Sequence, residues 1–224
     1  MQYQDASPAV QGIENSIWGK AVAAGCVNKN VRRARIVKMT CDKTDTMNYV
    51  VSFLEKLVNT PSPSGFTDEV MALVEKEAAG FGFRSHYSRK GGLIIEVPGN
   101  TEAVLGLSAH VDTLGAMVRS ISSEGMLRIV PVGGFMMESI EGMYCKVHTR
   151  TGKVYTGTIL TKEPSVHAYD DAKTLERKPK NMEVRLDERV RSEDDVKALD
   201  ISAGDYISFD PMFVYTRSEE HTSE

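Results

Sequence analysis

Leu105-Gly-Leu-Ser-Ala-His110-Val-Asp112-Thr-Leu-Gly-Ala-Met117 is an apolar run that delivers a histidine and, two residues on, an aspartate, followed by a small-residue turn at Gly115-Ala116. Read as a strand, its side chains alternate faces with a period of two, so His110 and Asp112 point the same way. Open α/β sheets bind ligands at the carboxyl ends of their strands, which is where this pair falls. Imidazole is a good ligand for zinc or cobalt, and a nearby carboxylate either ligates or fixes the ring's tautomer. Taken alone, His-x-Asp is a weak signal, because a histidine near a strand end is more often a hydrogen-bonded core or surface residue. The neighbourhood supplies the weight.

Upstream, Val50, Phe53, Leu54, Leu57 and Val58 repeat at three- and four-residue spacing and predict a helix beginning at Met47. Thr60-Pro-Ser-Pro-Ser-Gly65 ends it, since proline cannot continue a helix and glycine frees the turn. Thr67 reads as an N-cap, with Asp68 and Glu69 in the first turn favouring the helix dipole. Val70, Met71, Val74 and Ala78 form a core-facing stripe that Gly80 to Gly82 closes. Strands are expected at Arg84–Ser88 and Leu93–Val97 around a tight turn at Arg89-Lys-Gly-Gly92, with a further apolar strand over Ala103–Ser108. Helix, helix, then strands opens an α/β layer architecture.

After Met117 the chain changes to short strands between regular turn signals, over Arg119–Ile121, Leu127–Val130, Tyr144–His148, Lys153–Leu160 and Asp205–Phe209. Such spacing predicts a small barrel or sandwich. Tyr169 to Lys180 reads as an exposed charged loop, and Ser192 as the N-cap of a short helix over Glu193–Leu199.

The bulk composition excludes several classes. With 224 residues, 41% hydrophobic and 26% charged, this is an ordinary globular chain able to bury a core. A net charge of -4 and no long basic stripe in the main body give no footprint for nucleic acid. No apolar run approaches the ~20 residues of a membrane span. The three cysteines, Cys26, Cys41 and Cys145, are widely spaced and odd in number, so neither a disulfide framework nor a paired-cysteine metal site is indicated, and a reduced, cytoplasmic protein is expected.

Four stretches, in order, resemble the tetrahedral (glutamyl) aminopeptidase family of dinuclear metallopeptidases, metallopeptidase family forty-two. They are Met47-Asn-Tyr-Val-Val-Ser-Phe-Leu-Glu-Lys-Leu-Val with Thr60-Pro-Ser-Pro-Ser-Gly-Phe66, then Arg89-Lys-Gly-Gly-Leu93, Ser108-Ala-His-Val-Asp-Thr-Leu-Gly-Ala-Met-Val118, and Gly204-Asp-Tyr-Ile-Ser-Phe-Asp-Pro211. The resemblance runs from about Met47 to Thr216 and covers the N-terminal part of the family pattern. It implies an α/β fold, an incomplete α/β/α metallopeptidase sandwich with an inserted small β-barrel-like domain used in subunit assembly. The expected organisation is an extension over 1–46, the start of the catalytic domain over 47–117, the insert over 118–208, and a return to the catalytic domain over 209–216. Residues 1–46, with the basic patch Arg32-Arg33-Ala-Arg35 and no sustained apolar period, are expected to be poorly ordered upstream sequence. Neither a secretory signal nor a transit peptide is read there. Arg217-Ser-Glu-Glu-His-Thr-Ser-Glu224 is similar to the in-frame translation of a sequencing-library adapter, so Glu219, Glu220 and His221 are expected to be artefacts and the parent protein to continue further.

The resemblance also implies the chemistry. Two divalent metal ions, zinc or cobalt, would activate a bridging water that a glutamate deprotonates, and N-terminal residues would be cleaved from short peptides. Only two positions carry over: His110 as a ligand of one metal, and Asp112 as the residue orienting its imidazole. The bridging aspartate, the base and ligand glutamates, and the other ligands have no counterparts, so the chain as written is expected to be inactive. Homo-oligomerisation through the inserted domain is implied, with no nucleic acid and no membrane partner. The Ala-His-Val-Asp-Thr-Leu-Gly-Ala-Met stretch most resembles members associated with synthesis of a dipeptide osmoprotectant. Two other readings stay open: a related metal-dependent amidase or deacylase, and a non-catalytic assembly module.

Several residues invite misreading. Leu186-Asp-Glu-Arg189 looks like the family's aspartate motif but lies upstream of Ser-Phe-Asp-Pro, so Asp187 is read as a solvated strand end. His86, His148 and His167 read as structural or exposed, and Asp205 and Asp210 as turn or packing residues. Nothing fixes Glu138 and Glu141 as a carboxylate pair. Ser62 and Ser64 lack a nearby base and are not read as nucleophiles.

Overall fold

The computed structural model describes residues 43–100 and 103–216. Most of the expected N-terminal extension, and the whole of 217–224, lie outside the described residues.

Helix α1 spans Lys43–Asn59, starting ahead of the apolar repeat that announces it. Its last turn is closed by Thr60, whose amide and hydroxyl both donate to the Lys56 carbonyl, at 3.1 and 2.7 Å. Helix α2 spans Asp68–Gly80, with Asp68 and Glu69 in its first turn and Val70 and Ala78 buried. Thr67 precedes it as expected, but its side chain caps nothing. The helix ends as the glycines predict: Gly82 adopts a positive φ of 77°, and Phe83 N–H returns to the Ala78 carbonyl. The two helices are joined by Tyr49, which donates to Glu77 Oε1 at 2.9 Å and meets Phe81 edge-on with centroids 5.7 Å apart.

Strands β1 (Arg84–Tyr87) and β2 (Leu93–Glu96) form an antiparallel hairpin, with Arg84 facing Glu96 across its open end. The next stretch departs from expectation. Residues 103–112 form no strand; Val104 and Leu107 are almost fully exposed, and an isolated parallel bridge joins Pro63 to Thr113 just beyond the segment. An apolar run becomes a strand only when neighbouring strands accept its backbone groups. Among the described residues none flanks it.

The remaining strands are β3 (Gly115–Ile121), β4 (Leu127–Val132), β5 (Tyr144–His148), β6 (Val154–Thr161), β7 (Met182–Leu186) and β8 (Tyr206–Phe209). They close into a barrel of order β3-β4-β7-β6-β5-β8, antiparallel throughout. Apolar side chains from the strands fill the interior: Ala116, Val118, Leu127, Ile129, Val147, Ile159, Val184 and Ile207 are all at or near zero exposure. The short helix α3 (Glu193–Ala198) adds Val196 to this core. Ser192 caps it as expected, its Oγ accepting from the Asp195 amide at 3.2 Å. β7, given no range in the sequence reading although Asp187 is read there as a strand end, joins β4 to β6 and so completes the closure.

Candidate functional site

The site is built on the loop between α1 and α2 and on the segment entering β3. Thr113 N–H donates to the Ser62 carbonyl at 2.8 Å, making the rung that lays the Pro-Ser-Pro-Ser loop alongside Asp112 and Thr113. The loop is held from the barrel side by Phe66, whose ring lies 5.0 Å from His148 and 5.2 Å from Tyr206.

His110 and Asp112 are in contact, but on a loop, so the strand alternation expected to put them on one face is not what brings them together. His110 Nδ1 is 3.1 Å from Asp112 Oδ1 and 3.1 Å from the Asp112 carbonyl oxygen. A carbonyl oxygen only accepts, so both contacts call for the proton on Nδ1. That leaves Nε2 with its lone pair free, on a ring that is 84% exposed. The second carboxylate oxygen, Oδ2, accepts from Ser64 Oγ at 2.5 Å. The Ser64 hydroxyl is the chief cause holding the Asp112 carboxyl below the usual carboxylate range, with His110 a smaller one. A carboxylate so stabilised is a weak base, so Ser64 is not activated as a nucleophile.

An open groove of about 990 Å³ runs from this pair between α2 and the β1–β2 hairpin. Met71, Val74, Phe83, Ile95 and Leu107 give it an apolar wall, with His110 and Asp112 among its lining.

The other candidates stand apart. His86 is exposed on the hairpin, 4.0 Å from Glu96. His148 is buried, Nε2 2.8 Å from Ser208 Oγ, and His167 is exposed in the loop after β6. Asp187 is exposed at the end of β7. Asp205 is buried and caps a turn by accepting from Ser202 N–H at 2.8 Å, while Asp210 accepts from Met212 N–H. Glu141 pairs with Arg177 at 2.8 Å. Among the described residues no group of three metal-ligating side chains converges, so His110 offers one ligand and not a complete centre. Ser64 is the member that sequence reasoning set aside; its carboxylate partner lies 48 positions away.

Residues 91–224 match the family model of the M42 glutamyl aminopeptidases. The Bacillus subtilis (strain 168) protein YhfE, an aminopeptidase by name, is 46% identical over 169 residues, which are 75% of this chain and 49% of that protein. The TET aminopeptidase structure from the marine sediment archaeon Thaumarchaeota archaeon SCGC AB-539-E09 superposes with a TM-score of 0.63 at 24% identity, over 72% of this chain and 44% of that one. The TET1 peptidase of Pyrococcus horikoshii, described as assembling into a tetrahedron or a large octahedral shell, gives 0.59 at 24% identity over 71% and 46%. The two solved structures show a shared fold. The chain spans half or less of the length of the curated relatives it matches.

Proposed function

The chain belongs to the M42 glutamyl aminopeptidase family, and from that premise we propose that the whole protein is a hydrolase removing N-terminal residues from short peptides. The observation that carries this reading is the His110–Asp112 pair beside the groove, with Nδ1 engaged by two acceptors and the ring otherwise exposed. In it, His110 is a metal ligand through Nε2 and Asp112 fixes the ring. Zinc or cobalt suits an imidazole donor of this kind. The barrel serves homo-oligomerisation: it is a closed body with its own core, and Tyr144 and Val154 stand exposed on its adjacent strands β5 and β6. A cytoplasmic location belongs to the same reading.

Cobalt(II) titration followed by NMR tests the ligand assignment. Paramagnetic broadening should reach the His110 ring at lower cobalt than the exposed rings of His86 and His167, and His110→Ala should abolish that first event. Broadening of all three rings together would show that His110 is no preferred ligand.

A further inference from the structure

Ser64 sits on a loop fastened at several points. Thr113 N–H holds the Ser62 carbonyl at 2.8 Å, and Phe66 lies against His148 and Tyr206 of the barrel. Between Ser64 and Phe66, Gly65 has a φ of +90°, and a Cβ built there would come within 2.5 Å of Tyr206 Oη. Pro63 packs against β3 so closely that a Cβ on Gly115 would approach its Cγ to 2.7 Å. The hydroxyl of Ser64 is therefore presented from a fixed backbone, although the residue itself is exposed.

Its single described hydrogen bond goes to Asp112 Oδ2, while Oδ1 of the same carboxylate faces His110 Nδ1. A carboxylate turns freely about its last torsion unless both oxygens are engaged, and that torsion has broad wells. Asp112 is 41% exposed at its side chain, so packing alone does not hold it. We infer that Ser64 is a positioning residue: it fixes the Asp112 carboxylate, which in turn keeps the His110 proton on Nδ1 and the Nε2 lone pair available. The inference rests on the reading of His110 as a ligand, and it assigns the barrel a second task. By gripping Phe66, the barrel positions a residue that acts on the imidazole.

The test reads the proton and needs no turnover. Long-range ¹H–¹⁵N spectra of the neutral imidazole, at a pH well above the histidine range, report the ratio of Nδ1–H to Nε2–H forms at His110. Wild type should favour Nδ1–H. Ser64→Ala should lower the ratio by about threefold, the scale of one modest hydrogen bond, with the backbone amide spectrum unchanged away from the loop. Asp112→Asn should lower it as well. A ratio unchanged in Ser64→Ala but lowered in Asp112→Asn overturns the role of Ser64 and leaves the His110–Asp112 pair intact. A ratio unchanged in both variants overturns the relay at its second link. The cobalt titration is scored separately, so loss of metal preference with the tautomer shift present would remove the ligand reading alone.

Discussion

Arg128 on β4 donates to the carboxylate of Glu183 on β7, at a rung where the two residues are register partners and the barrel closes. Glu183 is 7% exposed, and burial pushes its carboxyl up while Arg128 and Lys162 pull it back. Arg128→Met strands a buried carboxylate, and we expect a loss of about 2–4 kcal/mol in urea unfolding. The double variant Arg128→Met/Glu183→Leu should recover most of that loss, because an apolar pair of similar volume removes the desolvation cost from both sides. Equal destabilisation of single and double variants would mean that the pair is held for packing and not for charge.

That ion pair also marks where sequence reading failed. Asn-Met-Glu-Val-Arg-Leu carries two charges in six residues, so β7 did not stand out as a strand. One of those charges is buried because a partner on β4 neutralises it, and no local pattern reports a partner 55 positions away. Strands β4, β5, β6 and β8 were legible as short runs between regular turn signals, whereas only the end of β3 was, because Gly115-Ala116 reads as a small-residue turn and is in fact the start of that strand. At 103–112 the error ran the other way. The apolar run was legible, but strand formation depends on neighbours that the run does not encode. The His110–Asp112 contact survived because a two-residue spacing needs no sheet to bring the pair together. Ser64 was in view only as a serine without a base, because its contact with Asp112 exists only once the loop is laid against Thr113.

His148 offers a pH test. Burial first, and the charge of Lys146 second, hold its pKa below the ordinary histidine value. The folded state therefore binds this proton less readily than the unfolded chain. Its contribution to stability is complete above the unfolded pKa of about 6.5 and is lost as pH falls from there through the lowered folded value. Melting temperatures of wild type and His148→Asn should converge in slope on the alkaline side. Below pH ~6.5 the wild type should fall more steeply. Parallel curves would show that His148 is not what destabilises the fold on acidification. Phe66 stacks on this ring, so the same titration followed at the Thr113 amide reports whether the loop loosens with it.

Cys145 should be chemically silent in the folded protein. It is 1% exposed, its Sγ is 3.4 Å from the Gly157 carbonyl, and burial pushes the thiol up to about 12. The thiolate is the reactive form, so alkylation at neutral pH should spare the Cys145 peptide under native conditions and label it fully in denaturant. Mass spectrometry of the digested peptide reads both states. Native labelling at a rate near that of an exposed cysteine would show that strands β5 and β6 open readily.

Gly115 joins the barrel to the site, and its replacement tests that joint. A Cβ at this position would lie 2.7 Å from the Ile207 carbonyl oxygen and 2.7 Å from Pro63 Cγ. The first contact is backbone of the neighbouring strand β8 and the second belongs to the ring of the loop, so neither can swing aside like a flexible side chain. Gly115→Ala should cost about 1–3 kcal/mol, the range of overpacking in a filled core. Gly134→Ala, where a Cβ meets nothing within 4 Å, is the matched control and should be near neutral. The two variants separate further in hydrogen exchange. Thr113 N–H is bonded to the Ser62 carbonyl beside the clash, so its exchange should accelerate in Gly115→Ala by more than the drop in global stability accounts for. Slow exchange at Thr113 in that variant would mean that strand β3 yields instead of the loop, and that the joint between barrel and site is stiffer on the loop's side.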